Sequence, residues 1–174
     1  SGNAVEIVRS LGVREVIFVP DQYLGSWIGK QLGKKLILWN GYCNIHNKIL
    51  PEHVIKKKKE HPEALVMAHP ECTPGVIALA DKVASTSGMI KFPSASKSRE
   101  FIVCTETGML HQLKKAYPSK SFYPAYEDAV CPNMKLTTLE KVLWTLEDEK
   151  EEIVVEKNIS EKALRSIEAM LKTA

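Results

Sequence analysis

Apolar residues recur along this chain in two alternating patterns. Continuous apolar runs of three to five residues occur at positions 16–19, 64–68 and 101–103, which is typical of buried strands in a parallel sheet. Apolar residues three or four positions apart, at 4–11 and 109–116, favour helices. This alternation predicts an α/β fold in which parallel sheets lie between helices, as a three-layer αβα arrangement.

The same order of elements occurs twice, at a spacing of about 87 residues. The first copy leads from Ser1 through a helix, the strand at 16–19, a helix at 25–32 and a strand at 36–38 to Cys43. The second copy leads from Ser87 through the strand at 101–103, a helix at 109–116 and a strand at 121–123 to Cys131. The chain therefore contains two related α/β repeats, each followed by a cysteine-bearing loop.

The segment between the copies continues the pattern, with the strand at 64–68 and a helix from Thr73-Pro74 to position 81. We therefore expect residues 43–130 to form a complete repeat. Residues 1–42 are expected to be the later part of a repeat that begins upstream of Ser1. Residues 131–174 are expected to form a C-terminal helical segment: a helix at 137–150, a short strand at 153–155 and a helix at 161–172. We expect this segment to pack on a domain upstream of residue 1, which would leave Val142, Trp144, Ile167 and Leu171 partly uncovered.

Composition and charge narrow the class of protein. The chain is 44% hydrophobic and 26% charged, as in globular proteins, and no apolar run approaches the ~20 residues that span a bilayer. No signal-peptide pattern opens the sequence, so a cytoplasmic protein is expected. The basic run at 56–59 follows apolar residues and precedes Glu60, as at the solvated end of a helix. We therefore expect neither a membrane nor a nucleic acid as partner.

The four cysteines could be metal ligands, disulfide partners or inert buried thiols. None belongs to a C-x-x-C pair, which argues against a zinc ribbon, and disulfides are not expected without a secretory signal. Cys104 continues an apolar run and is interpreted as a buried, inert thiol. Cys43 and Cys131 occupy loops after strands, which line the binding crevice of such folds. With a third cysteine they could hold an iron–sulfur cluster that acts as a Lewis acid; two unconnected structural thiols remain the alternative.

Polar residues near the strand ends are further candidates. His46 falls within one helical turn of Cys43 if that segment is helical. His69 and Glu71 are two positions apart, and in extended chain they would share one face while Cys72 points the other way. Burial of Glu71 would raise its pKa toward neutrality, where a carboxylate is an efficient acid and base. The segment 85–88 precedes a helix start that could bind an anion, although such a segment is usually only a cap.

Five segments, in the same order, resemble those of the quinolinate synthase family. They are GYCNIH (41–46), AHPEC (68–72), ASTSGMI (84–90), TETGMLHQLKK (105–115) and AVCPNMK (129–135), and the resemblance extends from Ser1 to about Leu146. It implies three repeated αβα domains related by pseudo-threefold symmetry, with a [4Fe-4S] cluster at their junction that is bound by one cysteine from each. It also implies a transferase that condenses iminoaspartate with dihydroxyacetone phosphate to quinolinate, for NAD biosynthesis. An L-aspartate oxidase would supply the iminoaspartate.

The resemblance also implies roles for individual residues. Cys43 and Cys131 match two cluster ligands, and the third would lie upstream of residue 1, so the 174-residue chain alone is expected to be inactive. Cys72 and Cys104 match no ligand. The remaining matched residues are His69 as substrate ligand, Glu71 as general acid or base, His46 near the substrate, and Ser1, Asn3, Ser85 and Thr86 at substrate carboxylate or phosphate groups. Because fold alone does not decide function, a non-catalytic α/β module that binds a small anion or a metal is the alternative.

Overall fold

The computed structural model describes residues 2–149 and 152–173, and the chain divides into two compact units, Ser1–Val130 and Cys131–Ala174. The helices of the first unit are α1 (Ala4–Ser10), α2 (Gln22–Leu32), α3 (Asn44–Lys48), α4 (Pro51–Glu60), α5 (Pro74–Ile77), α6 (Thr86–Ala95) and α7 (Met109–Ala116). Its strands are β1 (Ile17–Phe18), β2 (Ile37–Leu38), β3 (Leu65–Ala68), β4 (Lys82–Val83), β5 (Glu100–Cys104) and β6 (Ser121–Pro124). The predicted alternation of helix and strand is confirmed.

All strand pairs in the described part of the first unit are parallel. One sheet has the order β4-β3-β5-β6 and a smaller one pairs β1 with β2. In the larger sheet Ala68 lies opposite Cys104, so β3 and β5 end at the same level. The residues that follow them, His69 and Thr105, therefore emerge side by side at the carboxyl edge, where α/β proteins place their sites.

Apolar side chains of the larger sheet pack in a buried cluster around Phe101. Phe101 is fully buried and lies between Phe92, which meets it edge-on at 6.0 Å, and Phe122, which stacks on it at 5.4 Å. Burial of one such side chain contributes roughly 1.5–3 kcal/mol. The other buried members of this cluster are Met67, Met89, Val103, Met109 and Leu113. The edge of the sheet that carries His69 and Thr105 is thus supported by close-packed core.

The order of elements predicted for the two copies is found in the structure. The first copy is α1-β1-α2-β2 and the second is α6-β5-α7-β6, and each ends in a pair of parallel strands. In the first copy the strands are only two residues long, and Ile17 and Ile37 are more than half exposed. The boundary between residues 42 and 43 and the threefold arrangement of repeats stay predictions.

The predicted bounds shift by a few residues in several elements, and two predicted elements differ more clearly from the structure. The prediction of a strand at 153–155 is wrong, because these residues are exposed and pair with no strand. The helix predicted to reach position 81 ends at Ile77. Beyond it, the Asp81 carboxylate accepts a hydrogen bond from the backbone N–H of Val66 at 2.7 Å. The chain therefore turns early and places Lys82–Val83 beside β3 as an edge strand.

The second unit is helical in its described residues. It contains a 3₁₀ turn (Met134–Leu136), α8 (Leu139–Asp148), whose N-cap is Thr138, and α9 (Lys157–Leu171). Val142, Trp144, Ile167 and Leu171 are between 44% and 62% exposed, so they are partly uncovered as expected, and what they pack against stays a prediction. Within residues 2–149 and 152–173, none of the helices combines the length and the apolar composition needed to cross a membrane.

Candidate active site

A tight turn after β3 brings His69 and Glu71 together. The backbone N–H of His69 donates to Cys104 O at 3.1 Å, which ties the turn to β5. The N–H of Cys72 donates to His69 O at 2.9 Å, which closes a β-turn over residues 69–72. The prediction of an extended segment was wrong, yet the turn places Glu71 Oε2 3.9 Å from His69 Nδ1.

The same turn fixes how His69 presents its ring. The backbone N–H of Glu71 donates to Nδ1 of His69 at 3.3 Å, so Nδ1 acts as the acceptor. A neutral imidazole carries one hydrogen, and that hydrogen is therefore on Nε2. Burial lowers the pKa of His69 from 6.5 to about 4, with the neighbouring His46 acting in the same direction and Glu71 opposing. His69 is thus neutral at physiological pH.

His46 lies at the centre of the site, and the predicted helical segment that carries it is α3. Its Nδ1 lies 3.0 Å from Glu71 Oε2, and its Nε2 lies 2.9 Å from Thr105 Oγ1. Its ring stacks on His69, with centroids 4.5 Å apart and planes 10° from parallel. The helix after Cys43 and the ends of β3 and β5 therefore converge on one imidazole.

Glu71 is ionised in this arrangement. The hydrogen bond with His46 holds its pKa below the ordinary value, and it outweighs partial burial, which acts in the opposite direction. The expectation that burial raises this pKa toward neutrality is therefore wrong for the site as it stands. At neutral pH the carboxylate is in its basic form and accepts the Nδ1–H of His46.

Cys43 stands beside these groups at the start of α3. Its half-buried side chain lies close to them: its Sγ, a nitrogen of His46 and an oxygen of Glu71 all lie within 4.8 Å of one another. Its backbone N–H donates to Oδ2 of Asp21 at 2.9 Å. Thiolate, imidazole and carboxylate are donors that suit zinc or iron, so this end of the site can hold a metal.

The remaining cysteines differ in their surroundings. Cys72 is buried and its thiol donates to the carbonyl of Cys104 at 3.3 Å. Burial raises the pKa of Cys72 to about 12 and that of Cys104 well above its ordinary value, as inert thiols require. Cys131 is half-buried and belongs to the second unit. A common cluster for Cys43 and Cys131 stays a prediction.

The predicted anion-binding residues lie at helix starts. Ser85 caps α6 and its Oγ accepts from the N–H of Gly88 at 3.4 Å, so the cap interpretation is observed; Thr86 is the first residue of that helix. Asn3 precedes α1 without a side-chain cap hydrogen bond. A Cβ placed on Gly2 would lie 3.7 Å from Ser85 Oγ, so the two helix starts are neighbours. Ser1 lies outside the described residues, and substrate contacts of all four predicted residues stay predictions.

Two site residues were not assigned this role from the sequence. Thr105, 4% exposed, reaches His46 from the end of β5, and its one local signal is a polar residue directly after an apolar strand. Asp21, also 4% exposed, precedes the helix predicted at 25–32, and its link to Cys43 depends on the tertiary fold.

Comparison with known proteins identifies the family of this chain. The family model described as quinolinate synthetase A protein matches residues 1–172. The quinolinate synthase of Thermodesulfovibrio yellowstonii is 48% identical over 172 residues, and that of Desulforudis audaxviator is 49% identical over 172 residues. Each alignment covers 98% of this chain and 57% of the relative, so the chain spans little more than half the length of these proteins. The chain therefore belongs to the family of quinolinate synthetase A proteins.

Proposed function

We propose that this chain forms part of a quinolinate synthase, which condenses iminoaspartate with dihydroxyacetone phosphate to quinolinate for NAD biosynthesis. The observation that carries the proposal is the convergence of Cys43, His46 and Glu71 within 4.8 Å at the carboxyl edge of the sheet. The name shared by the aligned relatives supports the same reaction.

Glu71 is proposed to move protons in this reaction. Formation of the pyridine ring requires removal of protons from carbon and nitrogen and loss of water. The carboxylate is ionised and lies 3.0 Å from the His46 ring, so it is in the form that accepts a proton. Positioned general bases of this kind contribute roughly 10²–10⁴-fold to a rate.

His69 is proposed to orient a substrate. It is neutral, its ring is held by the turn and by the stack on His46, and its proton is on Nε2. A neutral N–H donor can hydrogen-bond a carbonyl or carboxylate oxygen of a substrate without adding a positive charge to the site. The helix starts at Asn3, Ser85 and Thr86, with Ser1, are proposed to bind the carboxylate or phosphate groups of the substrates.

The donor chemistry fits an iron–sulfur cluster at the Cys43 end of the site. Cys43 is half-buried beside His46 and Glu71, whereas the other cysteines of the first unit are buried and inert. We infer that Cys43 and Cys131 bind a [4Fe-4S] cluster with a third thiolate from outside these 174 residues. When bound, the cluster supplies a Lewis acid that makes a substrate hydroxyl a better leaving group.

A metal-binding module without catalysis is the second candidate. The observation that favours it is that Cys43, His46 and Glu71 would by themselves supply three ligands to a single zinc ion. The two candidates differ in iron content, in the need for Cys131 and in turnover.

The test uses the full-length protein that contains this chain, reconstituted anaerobically with iron and sulfide. The proposed function predicts a brown protein with about four irons per chain, and formation of quinolinate from iminoaspartate and dihydroxyacetone phosphate. Cys43→Ser and Cys131→Ser should each abolish both, whereas the control Cys104→Ala should retain both. Quinolinate formation by either serine variant would refute the ligand assignment, and a colourless zinc protein would favour the second candidate.

A further inference from the structure

We propose that Cys43, His46 and Glu71 bind a single Zn²⁺ ion when the iron–sulfur cluster is absent, and that this ion prevents the cluster from assembling. Exclusion of the cluster rests on the proposed function, whereas binding of the ion does not. The ion is thus a competitor of the cluster within the enzyme, which separates this role from that of a metal-binding module without catalysis.

Three different donor atoms lie close together where α3 begins. Sγ of Cys43, a nitrogen of His46 and an oxygen of Glu71 all lie within 4.8 Å of one another, and Nδ1 of His46 lies 3.0 Å from Glu71 Oε2. In a tetrahedral zinc site, with metal–ligand distances of about 2.0–2.3 Å, the donor atoms are about 3.3–3.6 Å apart. The three atoms therefore need to move by only about 1 Å to share one ion.

Contacts outside the triad hold two of its members in place. Nε2 of His46 lies 2.9 Å from Thr105 Oγ1, so the outer nitrogen of the ring has a partner while Nδ1 faces Glu71. The backbone N–H of Cys43 donates to Asp21 at 2.9 Å, which fixes the loop that carries the thiol. Metal sites in proteins orient their ligands by outer contacts of this kind.

The triad is accessible to an ion from solvent. Cys43 is half-buried and the side chain of Glu71 is 24% exposed, so an ion can enter and water can complete its coordination. Three protein ligands with an open fourth position are typical of zinc sites that are not purely structural. Cys72 and Cys104 are buried, so Cys43 is the thiol of the first unit that an ion can reach.

The ion and the cluster compete for Sγ of Cys43, because the proposed ligand assignment gives this thiolate to one iron of the cluster. His46 and Glu71 are not cluster ligands in that assignment, and they add two bonds that only the single ion makes. Zinc binds such mixed donor sets more tightly than Fe²⁺ does, in the general order of affinity of divalent metals. A zinc-loaded protein therefore stays without its cluster until the zinc is removed.

Titration with Co²⁺ tests the ion site, because a thiolate bound to Co²⁺ gives an intense near-ultraviolet charge-transfer band. The full-length protein is stripped with a chelator, reduced and titrated anaerobically. Wild type should bind one equivalent with this band, and Zn²⁺ should displace it. Cys43→Ser should lose the band, and Glu71→Gln should weaken binding by more than the roughly 10-fold that loss of an outer contact costs. The control is Cys131→Ser, which removes a proposed cluster ligand but no ligand of the ion, and it should bind Co²⁺ as tightly as wild type.

Cluster transfer tests the competition. A preloaded cluster-donor protein supplies the cluster, so that no free sulfide precipitates the zinc. Zinc is added first, at a concentration between its dissociation constants for wild type and for Glu71→Gln. Wild type should then lose most of its iron uptake, and a chelator should restore it. Glu71→Gln should take up iron equally with and without zinc, because it keeps the cluster cysteines and lacks a ligand of the ion.

Three results would overturn the proposal. They are a wild-type Co²⁺ complex without the thiolate band, equal loss of Co²⁺ affinity in Cys43→Ser and Cys131→Ser, and normal cluster uptake by zinc-loaded wild type. The first and the third need no variant, so the proposal remains testable if a variant does not fold. A protein that shows the expected Co²⁺ spectrum and takes up the cluster but forms no quinolinate would support the ion site and refute the proposed reaction.

Discussion

Asp21 and Cys43 are joined by a hydrogen bond in which the backbone N–H of Cys43 donates to Oδ2 of Asp21 at 2.9 Å. The other oxygen, Oδ1, accepts from the N–H of Leu24 at 2.8 Å, as the N-cap of α2. One buried carboxylate therefore fixes both the start of α2 and the loop that carries the candidate cluster ligand.

Replacing Asp21 by Asn should weaken this link. An amide has one oxygen, so the N–H of either Leu24 or Cys43 would face an NH₂ group. An unpaired buried donor costs about 1–3 kcal/mol, and we expect a loss of this size in the free energy of unfolding by urea. Iron retained after gel filtration should fall as well, although every cysteine is present. The exposed Asp128→Asn is the control; an Asp21→Asn protein as stable and as iron-rich as wild type would contradict the assigned role.

Replacing Glu71 by Gln should remove the proton-accepting group while preserving its shape. In the full-length enzyme we expect quinolinate formation to fall by roughly 10²–10⁴-fold, with the iron content unchanged. The matched control is Glu127→Gln, whose exposed side chain pairs with Lys57 on the surface. If steady-state rates of Glu71→Gln stay within a few-fold of wild type, the base is another residue.

His69 should make the protein less stable in acid. Its pKa of about 4 in the folded state lies below the ordinary value of 6.5, so between these values the unfolded chain binds more protons. The stability that neutral His69 contributes is thus present above about pH 6.5 and is lost as the pH falls toward about 4. From pH 7 to pH 5 this loss is about 2 kcal/mol.

Urea unfolding at the two pH values measures this loss. His69→Asn should show a smaller fall in unfolding free energy than wild type, because that position no longer titrates. His111→Asn, which changes an exposed histidine on α7, is the control and should follow wild type. The same fall in wild type and His69→Asn would show that the histidine is not held neutral by the fold.

The cysteines should separate into two classes of reactivity. In cluster-free protein, iodoacetamide at pH 8 should alkylate the half-buried Cys43 and Cys131. Cys72 and Cys104 should react only after unfolding, because burial raises both pKa values and shields both sulfurs. Peptide mass spectrometry before and after addition of urea checks this. Alkylation of Cys72 before urea is added would show that its thiol is accessible in the folded protein and would contradict the prediction.

Local patterns predicted those elements whose stability is largely local. Helix α7 has the predicted bounds, Met109–Ala116, because its apolar spacing is clear and a glycine precedes it. The strand expected at 153–155 failed because a β-branched run supplies only propensity, and a strand needs a neighbour to accept its hydrogen bonds. These two cases show which part of the fold the sequence pattern determines.

The site was predictable as a set of candidates but not as a geometry. Cys43, His46, His69 and Glu71 could be singled out from motifs, whereas their convergence depends on the turn after β3 and on strand register. Thr105 is 59 positions from His46 in the chain, and Asp21 is 22 positions from Cys43. Contacts at such separations arise only when the sheet has formed, and no local pattern specifies them.

The alignment of Ala68 with Cys104 also limits how the chain length can change. An inserted or deleted residue within β3 or β5 would turn the following side chain to the opposite face of the sheet, so His69 or Thr105 would leave the His46 ring. Segments 96–99 and 117–120 enter β5 and β6 at the opposite edge. A change of length there leaves the register of β3 and β5 at His69 and Thr105 intact, but it would disturb Lys120, whose Nζ donates to the carbonyl oxygens of Pro93, Ser96 and Ser98 and joins the two segments.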